Sequence, residues 1–364
     1  MAERPPLFFF IFIVSKGVVT MNRRENFLAR LKREESEYTP VFLRDLTLGL
    51  DATGLKTTDV VGESYNAEES ARSVLALQNI TGHDAIVGCI STYGRSTLGG
   101  KTKFPEYGIP HVVTHPFEDI SKMEHHHPSE LYDDMLKGTK KSYSLVRQKA
   151  PELAVVLNTG GPVTVAGGLR GLEQFMLDIH TEPEIAHDLM KFGEGMIKIM
   201  IETLYEHSDV VFLASASDNP DMIGPDVFRE ISLDSVKKIT DFTHDLGLPV
   251  IFHPHGVFST EDRADILRGS VDTGIEGFQF AEGNEPEGIL EQTKGRCSIL
   301  GGVDVATTLL LGPENRIKRD TLRYLEACKD GDHILMCSCS LHRGIPINNV
   351  KTMVDTAREF DSSL

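Results

Sequence analysis

Two short stretches of the chain carry histidine and cysteine in a spacing that suits a metal ion. His253 and His255 stand two residues apart at the end of one apolar run, and Cys337 and Cys339 do the same at the end of another. Side chains alternate along a β-strand with period two, so the members of each pair point to the same side. Imidazole and thiolate are ligands that Zn²⁺ prefers, usually three or four per site. The pattern predicts that the two stretches meet at one zinc ion; the alternative is two strands that end in His and Cys without a metal.

Other histidines and cysteines fit ordinary structural roles better. Consecutive residues such as Glu124–His127 rarely converge on one ion, and a helix is expected to begin just after them. Cys89 and Cys297 lie on apolar runs and are interpreted as core thiols, while Cys328 falls on an expected helix.

Strand-length apolar runs alternate with helix-like segments from about residue 40 to the end of the chain. The eight runs are Val41–Leu46, Asp84–Ile90, Ala154–Asn158, Val210–Ala214, Pro249–His253, Gly277–Ala281, Cys297–Gly301 and His333–Cys337. Expected helices cover residues 66–79, 129–148, 171–207, 225–246, 260–272, 285–293, 313–329 and 348–361, after a helical extension over 22–35. Eight β-α units predict an α/β fold, a single-domain (β/α)8 TIM barrel over residues 21–364. A doubly wound sheet is the alternative, but no G-x-G-x-x-G follows the first strand.

Active sites of such barrels lie at the carboxyl ends of the strands, so polar residues there are candidates for chemistry. Candidate substrate-binding residues are Arg44, Tyr93, Asn158 and Asn219. Glu282 follows the sixth run and is a candidate metal ligand or proton donor; a solvated loop carboxylate is the alternative. Asp218 is a candidate catalytic residue at the mouth of the barrel, and its alternative role is to cap the helix that begins near Pro225.

Composition limits the environment and the partners. The net charge of −17 over 364 residues disfavours nucleic acid and anionic membranes as partners. Five cysteines, few and odd in number, indicate a reducing compartment and a cytoplasmic protein. The apolar stretch Leu7–Val14 is too short to span a bilayer, and residues 1–20 are interpreted as a mobile tail or the product of an upstream start codon.

Six stretches follow the order of motifs in a known family. They are Tyr38–Val41, Gly82–Ala85, Gly161–Thr164, Ala216–Pro225, Pro249–His253 and Pro346–Val350. Over about residues 22–361 the chain resembles the uroporphyrinogen decarboxylase superfamily. Within that superfamily it is most similar to the cobalamin-linked methyltransferases, such as the methylcobalamin:coenzyme M methyltransferases.

The resemblance implies a TIM barrel and a zinc held by a His-x-Cys on the fifth strand and a Cys before the final helix. His253 matches the family histidine, and Cys339 matches the late cysteine by its seven-residue distance from Pro346. His255 stands where the family has its first cysteine, which is a departure and makes the implied ligand set His, His and Cys. Cys337 could then be a fourth ligand.

The methyltransferase branch implies transfer of a methyl group between cobalamin on a separate corrinoid carrier protein and a small molecule. That molecule is a thiol acceptor or a methylated oxygen compound as donor, and the direction of transfer stays open. Decarboxylation is the alternative, but the expected arginine-rich stretch retains only Arg44, and no carboxylate ends the second strand near Ile90–Ser91. A barrel that binds a corrinoid or small molecule without turnover is the non-catalytic alternative.

Overall fold

The structure, a computed structural model, describes residues 20–62, 64–90, 98–293 and 295–363. Ten strands lie within these residues. They are β1 Phe42–Leu43, β2 Ala85–Val87, β3 Lys101–Lys103, β4 His111–Thr114, β5 Ala154–Gly160, β6 Val210–Ser215, β7 Val250–Pro254, β8 Gly277–Gln279, β9 Ser298–Val303 and β10 His333–Cys337. Each of the eight runs expected from the sequence overlaps one of these strands, and the β3–β4 hairpin is additional.

Eight parallel strands form a closed barrel in the order β1-β2-β5-β6-β7-β8-β9-β10. The first and last strands meet through parallel bridges between Val41 and Leu335 and between Asp45 and Leu341. The backbone N–H of Leu335 donates to the carbonyl of Pro40 at 2.9 Å. The predicted TIM barrel is confirmed, because all eight strands run parallel and the helices lie between them in sequence.

Fourteen α-helices occur in the described residues. They are α1 Arg23–Leu31, α2 Gly49–Thr53, α3 Ala67–Thr81, α4 Asp134–Lys149, α5 Pro162–Arg170, α6 Leu172–Thr181, α7 Pro183–Leu204, α8 Pro220–Ile223, α9 Pro225–Val227, α10 Asp234–Asp245, α11 Ala264–Asp272, α12 Pro286–Thr293, α13 Glu314–Cys328 and α14 Ile347–Asp361. Short 3-10 turns and two π-helical segments, Phe228–Leu233 and Val305–Leu309, join them. Across the ranges described above, no helix combines the length and the hydrophobicity that crossing a membrane needs.

The prediction of a single helix over residues 171–207 is wrong. The helical segment is divided at Glu182, because Pro183 has no N–H and its ring disfavours helical geometry in the preceding residue. An unexpected helix, α5, also precedes it; Pro162 lies at its first position, which is where proline is tolerated.

Helix α1 covers the amino-terminal end of the barrel, in agreement with the expected helical extension. Asn22 caps it by accepting a hydrogen bond from the N–H of Glu25 at 3.0 Å. Phe27 and Leu31 on this helix pack against the side chains that fill the barrel interior, including Phe42 and Phe212. The interior is therefore sealed below, and the site must be approached from the carboxyl ends of the strands.

Candidate metal centre

Strand β7 delivers both histidines to the mouth of the barrel. Ile251 belongs to the apolar layer of the barrel interior, and His253, two residues on, is 1% exposed immediately above that layer. His255 follows at partial exposure, just beyond the end of the strand. Gly256 then turns the chain with φ +108°, and a Cβ there would lie 2.5 Å from Oδ1 of Asn219. The turn after the second histidine therefore requires glycine.

Three potential ligand atoms converge at this point. The ring nitrogens of His253 and His255 and the sulfur of Cys339 all lie within 4.8 Å of one another. Nε2 of His255 is 3.7 Å from Sγ of Cys339, and the two imidazole rings are 4.9 Å apart between centroids. Three groups at the ends of two separate strands thus surround one small space at the barrel mouth.

The hydrogen bonding of His253 leaves one nitrogen for a ligand role. Its Nδ1 lies 3.2 Å from the backbone carbonyl oxygen of Gln279, and only a protonated Nδ1 can donate to that oxygen. Nε2 then carries a lone pair, and this buried atom has no hydrogen-bond partner within the described residues. Buried polar atoms are almost always satisfied, and metal-bound histidines commonly donate their other N–H to a carbonyl. The arrangement fits a metal ion.

Cys339 is suited to be the anionic ligand. Burial raises the pKa of its thiol, but the neighbouring imidazoles of His253 and His255 lower it by more, to about 3. Contact with Cys339 in turn raises the pKa of His255, whereas burial lowers that of His253. Two imidazoles and one thiolate match the ligand chemistry of Zn²⁺, and three protein ligands are the number that catalytic zinc sites use.

Cys337 does not join this cluster. Its side chain is fully buried among Leu335, Val303 and other residues between the barrel and its outer helices. Its thiol donates to the backbone carbonyl of Cys339 at 3.0 Å, and burial raises its pKa to about 12. The expectation that Cys337 is a fourth ligand therefore needs correction: a protonated thiol on the outer face of the strand supports the chain next to Cys339.

Glu282 and Asp218 also lie apart from the three ligand atoms. Glu282 is exposed beyond the end of β8, where it raises the pKa of His255 through space. Asp218 is fully buried and accepts from the N–H groups of Val163 and Thr164, each at 3.3 Å, at the amino-terminal end of α5. In the structure Asp218 thus caps α5 instead of the helix near Pro225.

The predicted substrate-binding residues have different placements. Arg44 and Asn158 both line the cavity above the barrel interior, and Nε of Arg44 donates to Oδ1 of Asn158 at 2.7 Å. Asn219 caps α8 by accepting from the N–H of Asp221 at 2.9 Å, and it does not line the cavity. Tyr93 lies outside the described residues.

A cavity of about 340 Å³ opens directly onto His253, His255 and Cys339, which together form the candidate metal cluster. His253, His255 and Cys339 form part of its wall, together with Ser340 and His342. Oγ of Ser340 lies 2.9 Å from Nε2 of His342, so these two residues form a linked polar edge beside Cys339. A small molecule in this cavity would reach the three ligand atoms.

Sequence reasoning missed Gln279, Ser340 and His342. Gln279 is a lone polar residue between two phenylalanines on an apolar strand, and that contrast is a usable signal. Ser340 and His342 follow Cys339 closely, but nothing in their spacing alone distinguishes them from ordinary loop residues.

Comparison with known proteins identifies the family. Residues 22–360 match the family model described as uroporphyrinogen decarboxylase (URO-D). The chain belongs to the uroporphyrinogen decarboxylase family. The match spans the whole barrel and confirms the resemblance seen in the sequence motifs.

Relatives of the chain include methyltransferases of Methanosarcina species. The methylcobamide:CoM methyltransferase MtaA of Methanosarcina barkeri is 24% identical over 330 residues, which cover 83% of this chain and 89% of that protein. A methylated-thiol–coenzyme M methyltransferase of Methanosarcina mazei is 25% identical over 201 residues, 54% of this chain and 51% of that protein.

Solved structures share the fold. A methyltransferase from Methanosarcina mazei superposes with a TM-score of 0.80 at 23% identity, covering 93% of this chain and 99% of its own. A putative vitamin-B12 independent methionine synthase from Listeria monocytogenes gives 0.52 at 13% identity, covering 89% and 96%. At these identities the likeness supports the barrel architecture alone.

Proposed function

We propose that the protein is a zinc-dependent, cobalamin-linked methyltransferase. It moves a methyl group between a corrinoid on a separate carrier protein and a small thiol or a methylated oxygen compound. His253, His255 and Cys339 hold the zinc, and the cavity beside them receives the small molecule. We further propose a cytoplasmic location, consistent with five free thiols.

The observation that carries this proposal is the convergence of three ligand atoms beside a cavity. A closed structural zinc site usually has four protein ligands, whereas a catalytic site keeps a position for substrate. The described residues offer three ligands, and the cavity wall includes all three. The relatives named as methylcobamide:CoM methyltransferases support methyl transfer as the reaction class.

A zinc ion held by these residues would lower the pKa of an incoming thiol or polarise the oxygen of a methylated donor. The chain itself supplies the surroundings. Nδ1 of His253 stays protonated on the carbonyl of Gln279, which keeps Nε2 turned to the cavity. The guanidinium of Arg44 lies 5.2 Å over the ring of Phe212 and donates to Asn158, forming a polar floor above the apolar interior.

The cavity wall disfavours the decarboxylase alternative. A porphyrinogen carries many carboxylates, each of which needs a cationic or hydrogen-bonding partner. Among the described residues that line the cavity, Arg44 is the one arginine and there is no lysine. A small, largely uncharged substrate fits this wall better.

Metal analysis and methyl transfer test the proposal together. Protein purified in reductant should bind about one zinc per chain, and His253→Ala and Cys339→Ala should abolish that binding. His126→Ala is the control and should leave zinc content unchanged, because the half-buried His126 pairs with Glu130 at 2.9 Å and does not line the cavity. Loss of the methyl-cobalt absorbance of methylcobalamin would then be followed with a panel of thiols. In parallel, Co(I) cobalamin would be offered methoxylated aromatics.

Three results would refute the proposal. The first is an absence of bound transition metal even after reconstitution with zinc. The second is release of CO₂ from uroporphyrinogen, and the third is a lack of methyl transfer in both directions when a native carrier protein is present.

A further inference from the structure

The cavity at the metal cluster continues beyond the barrel mouth into a space between two outer helices. Its far part, the annex, is lined by residues of α4, α7 and the turn before α4. Its apolar side chains are Leu131, Met135, Met196, Ile197, Met200 and Leu204. None of these six side chains carries a charge or a hydrogen-bonding group of ordinary strength. Thr139 of α4 also lines the cavity, but its hydroxyl donates to the carbonyl of Met135 at 2.9 Å.

A break in the barrel wall connects the annex to the metal cluster. The ladder between β2 and β5 ends at the pair Val87 and Val156. Beyond this pair the hydroxyl of Tyr143 on α4 replaces β2 as the hydrogen-bonding partner of β5. It donates to the carbonyl of Val156 at 3.1 Å and accepts from the N–H of Asn158 at 3.2 Å. The phenol thus satisfies the edge of β5 where β2 has left, and the cavity passes along it.

Gly88 makes room for this insertion. A Cβ at position 88 would lie 2.3 Å from Cδ1 of Tyr143, so any larger residue would overlap the ring. Tyr143 is 1% exposed and lines the cavity between the annex and the metal cluster. A glycine and a buried tyrosine together hold the opening at this point in the wall.

The chemistry of the annex favours one class of ligand. Three methionines provide flexible, polarisable side chains that adapt to irregular apolar shapes and make favourable contacts with aromatic rings. The nearby Asp133 is engaged in capping α4, where it accepts from the N–H of Leu136 at 2.8 Å. An anionic group in the annex would find no cation among these residues and would lose its hydration.

We propose that the annex binds an uncharged alkyl or aryl group of the substrate, while the sulfur or oxygen that exchanges the methyl lies at the metal cluster. The inference rests on the proposed function and narrows its substrate class. It favours apolar thiols, thioethers or ethers over short anionic thiols such as coenzyme M.

Binding measurements with a series of methyl n-alkyl thioethers test the annex. Isothermal titration calorimetry would compare ethyl, butyl and hexyl members, with methyl benzyl sulfide, on zinc-loaded and metal-free protein. Burial of each methylene should raise affinity about fourfold until the annex is full. The slope should appear in both forms of the protein, because the annex does not include a metal ligand.

Substitution of Met200 locates the effect. Met200→Glu should lower affinity for the hexyl compound at least tenfold and leave zinc content unchanged, whereas Met200→Leu should retain the slope. Met176→Glu is the matched control, since Met176 is a half-buried methionine on α6 outside this cavity. The wild-type series stands on its own if Met200→Glu does not fold.

The outcomes separate the annex from the proposed function. Affinity that is independent of chain length, or coenzyme M binding more tightly than the hexyl compound, would overturn the annex even if methyl transfer is observed. A chain-length slope that Met200→Glu abolishes would support the annex even if methyl transfer fails.

Discussion

The backbone carbonyl of Gln279 accepts a hydrogen bond from Nδ1 of His253 at 3.2 Å. The side-chain amide of the same glutamine donates to the carbonyls of Cys337 at 3.3 Å and Ser338 at 3.1 Å. One residue of β8 therefore orients the histidine on β7 and also fixes the turn that carries Cys339. Groups that orient metal ligands in this way usually influence affinity strongly.

Replacement of Gln279 should weaken the metal site without touching a ligand. Gln279→Leu keeps the backbone carbonyl that orients His253 but removes the amide that holds the turn before Cys339. We expect zinc affinity to fall about 10- to 100-fold, measured by competition with a chromophoric chelator.

Gln78→Leu is the matched control for this change. Gln78 is also buried and also donates to a backbone carbonyl, that of His83 at 2.9 Å, but it lies on α3. Both variants should lose some stability, and only Gln279→Leu should lose metal. Equal zinc affinity in the two variants would contradict the role given to Gln279.

The two cysteines of the late stretch should behave differently. Cys339→Ala removes a ligand and should abolish stoichiometric zinc binding. Cys337→Ala removes a buried thiol that packs beside Leu335, so it should retain zinc and lower the free energy of unfolding by about 1 kcal/mol or somewhat more. Zinc content and urea unfolding, measured on both variants, distinguish a ligand from a packing residue; loss of zinc from Cys337→Ala would restore it as a ligand.

The sequence was sufficient to predict the barrel and the convergence of His253, His255 and Cys339. Apolar runs of strand length can be recognised in the sequence without knowing which strands pair. His253 follows the alternation that places Ile251 in the barrel interior. Cys337 shows where that logic fails. Strand β10 ends at Cys337, which faces outward as Leu335 does, while Cys339 lies beyond the strand and turns inward. Alternation extends only as far as the strand does.

Contacts between distant segments were beyond reach of sequence patterns. The hydroxyl of Tyr143 meets the edge of β5 because β2 diverges there, and no local spacing predicts such a divergence. Asp218 follows the carboxyl end of β6, as its sequence position predicts, but it caps α5, a helix that the sequence pattern does not reveal. Polar residues near strand ends serve structure or chemistry according to what tertiary packing places beside them.

The buried carboxyl of Asp218 should make stability depend on pH. Burial raises its pKa from 3.8 to about 6, although hydrogen bonds from Ser232, Val163 and Thr164 act in the opposite direction. A raised pKa in the folded state means that the folded protein prefers the protonated form. The stabilising contribution is therefore complete below about pH 4 and is lost as the pH rises through 6.

Urea unfolding of wild type and Asp218→Asn between pH 4 and pH 8 measures this contribution. Relative to Asp218→Asn, the wild type should lose up to about 3 kcal/mol of unfolding free energy as the pH rises from 4 to 8. Ser232→Ala removes the hydroxyl that donates to the carboxylate at 2.5 Å, which should raise the pKa of Asp218 in the folded state further. The loss of stability should therefore extend to higher pH in this variant. A wild-type advantage that grows with pH would contradict the assignment.

Gly88 should be intolerant of even a methyl group. In Gly88→Ala the new Cβ would overlap the ring of Tyr143, which is buried and held by two backbone hydrogen bonds. Overpacking of this kind costs about 1–3 kcal/mol, and urea unfolding should detect the loss.

Gly62→Ala is the control. A Cβ at position 62 meets nothing within 4 Å, so this substitution should change stability by less than about 0.5 kcal/mol. Because the clash needs both side chains, Gly88→Ala should cost less stability in a Tyr143→Ala background than in the wild type. If Gly88→Ala were as stable as Gly62→Ala, the tyrosine could not be fixed in the break between β2 and β5.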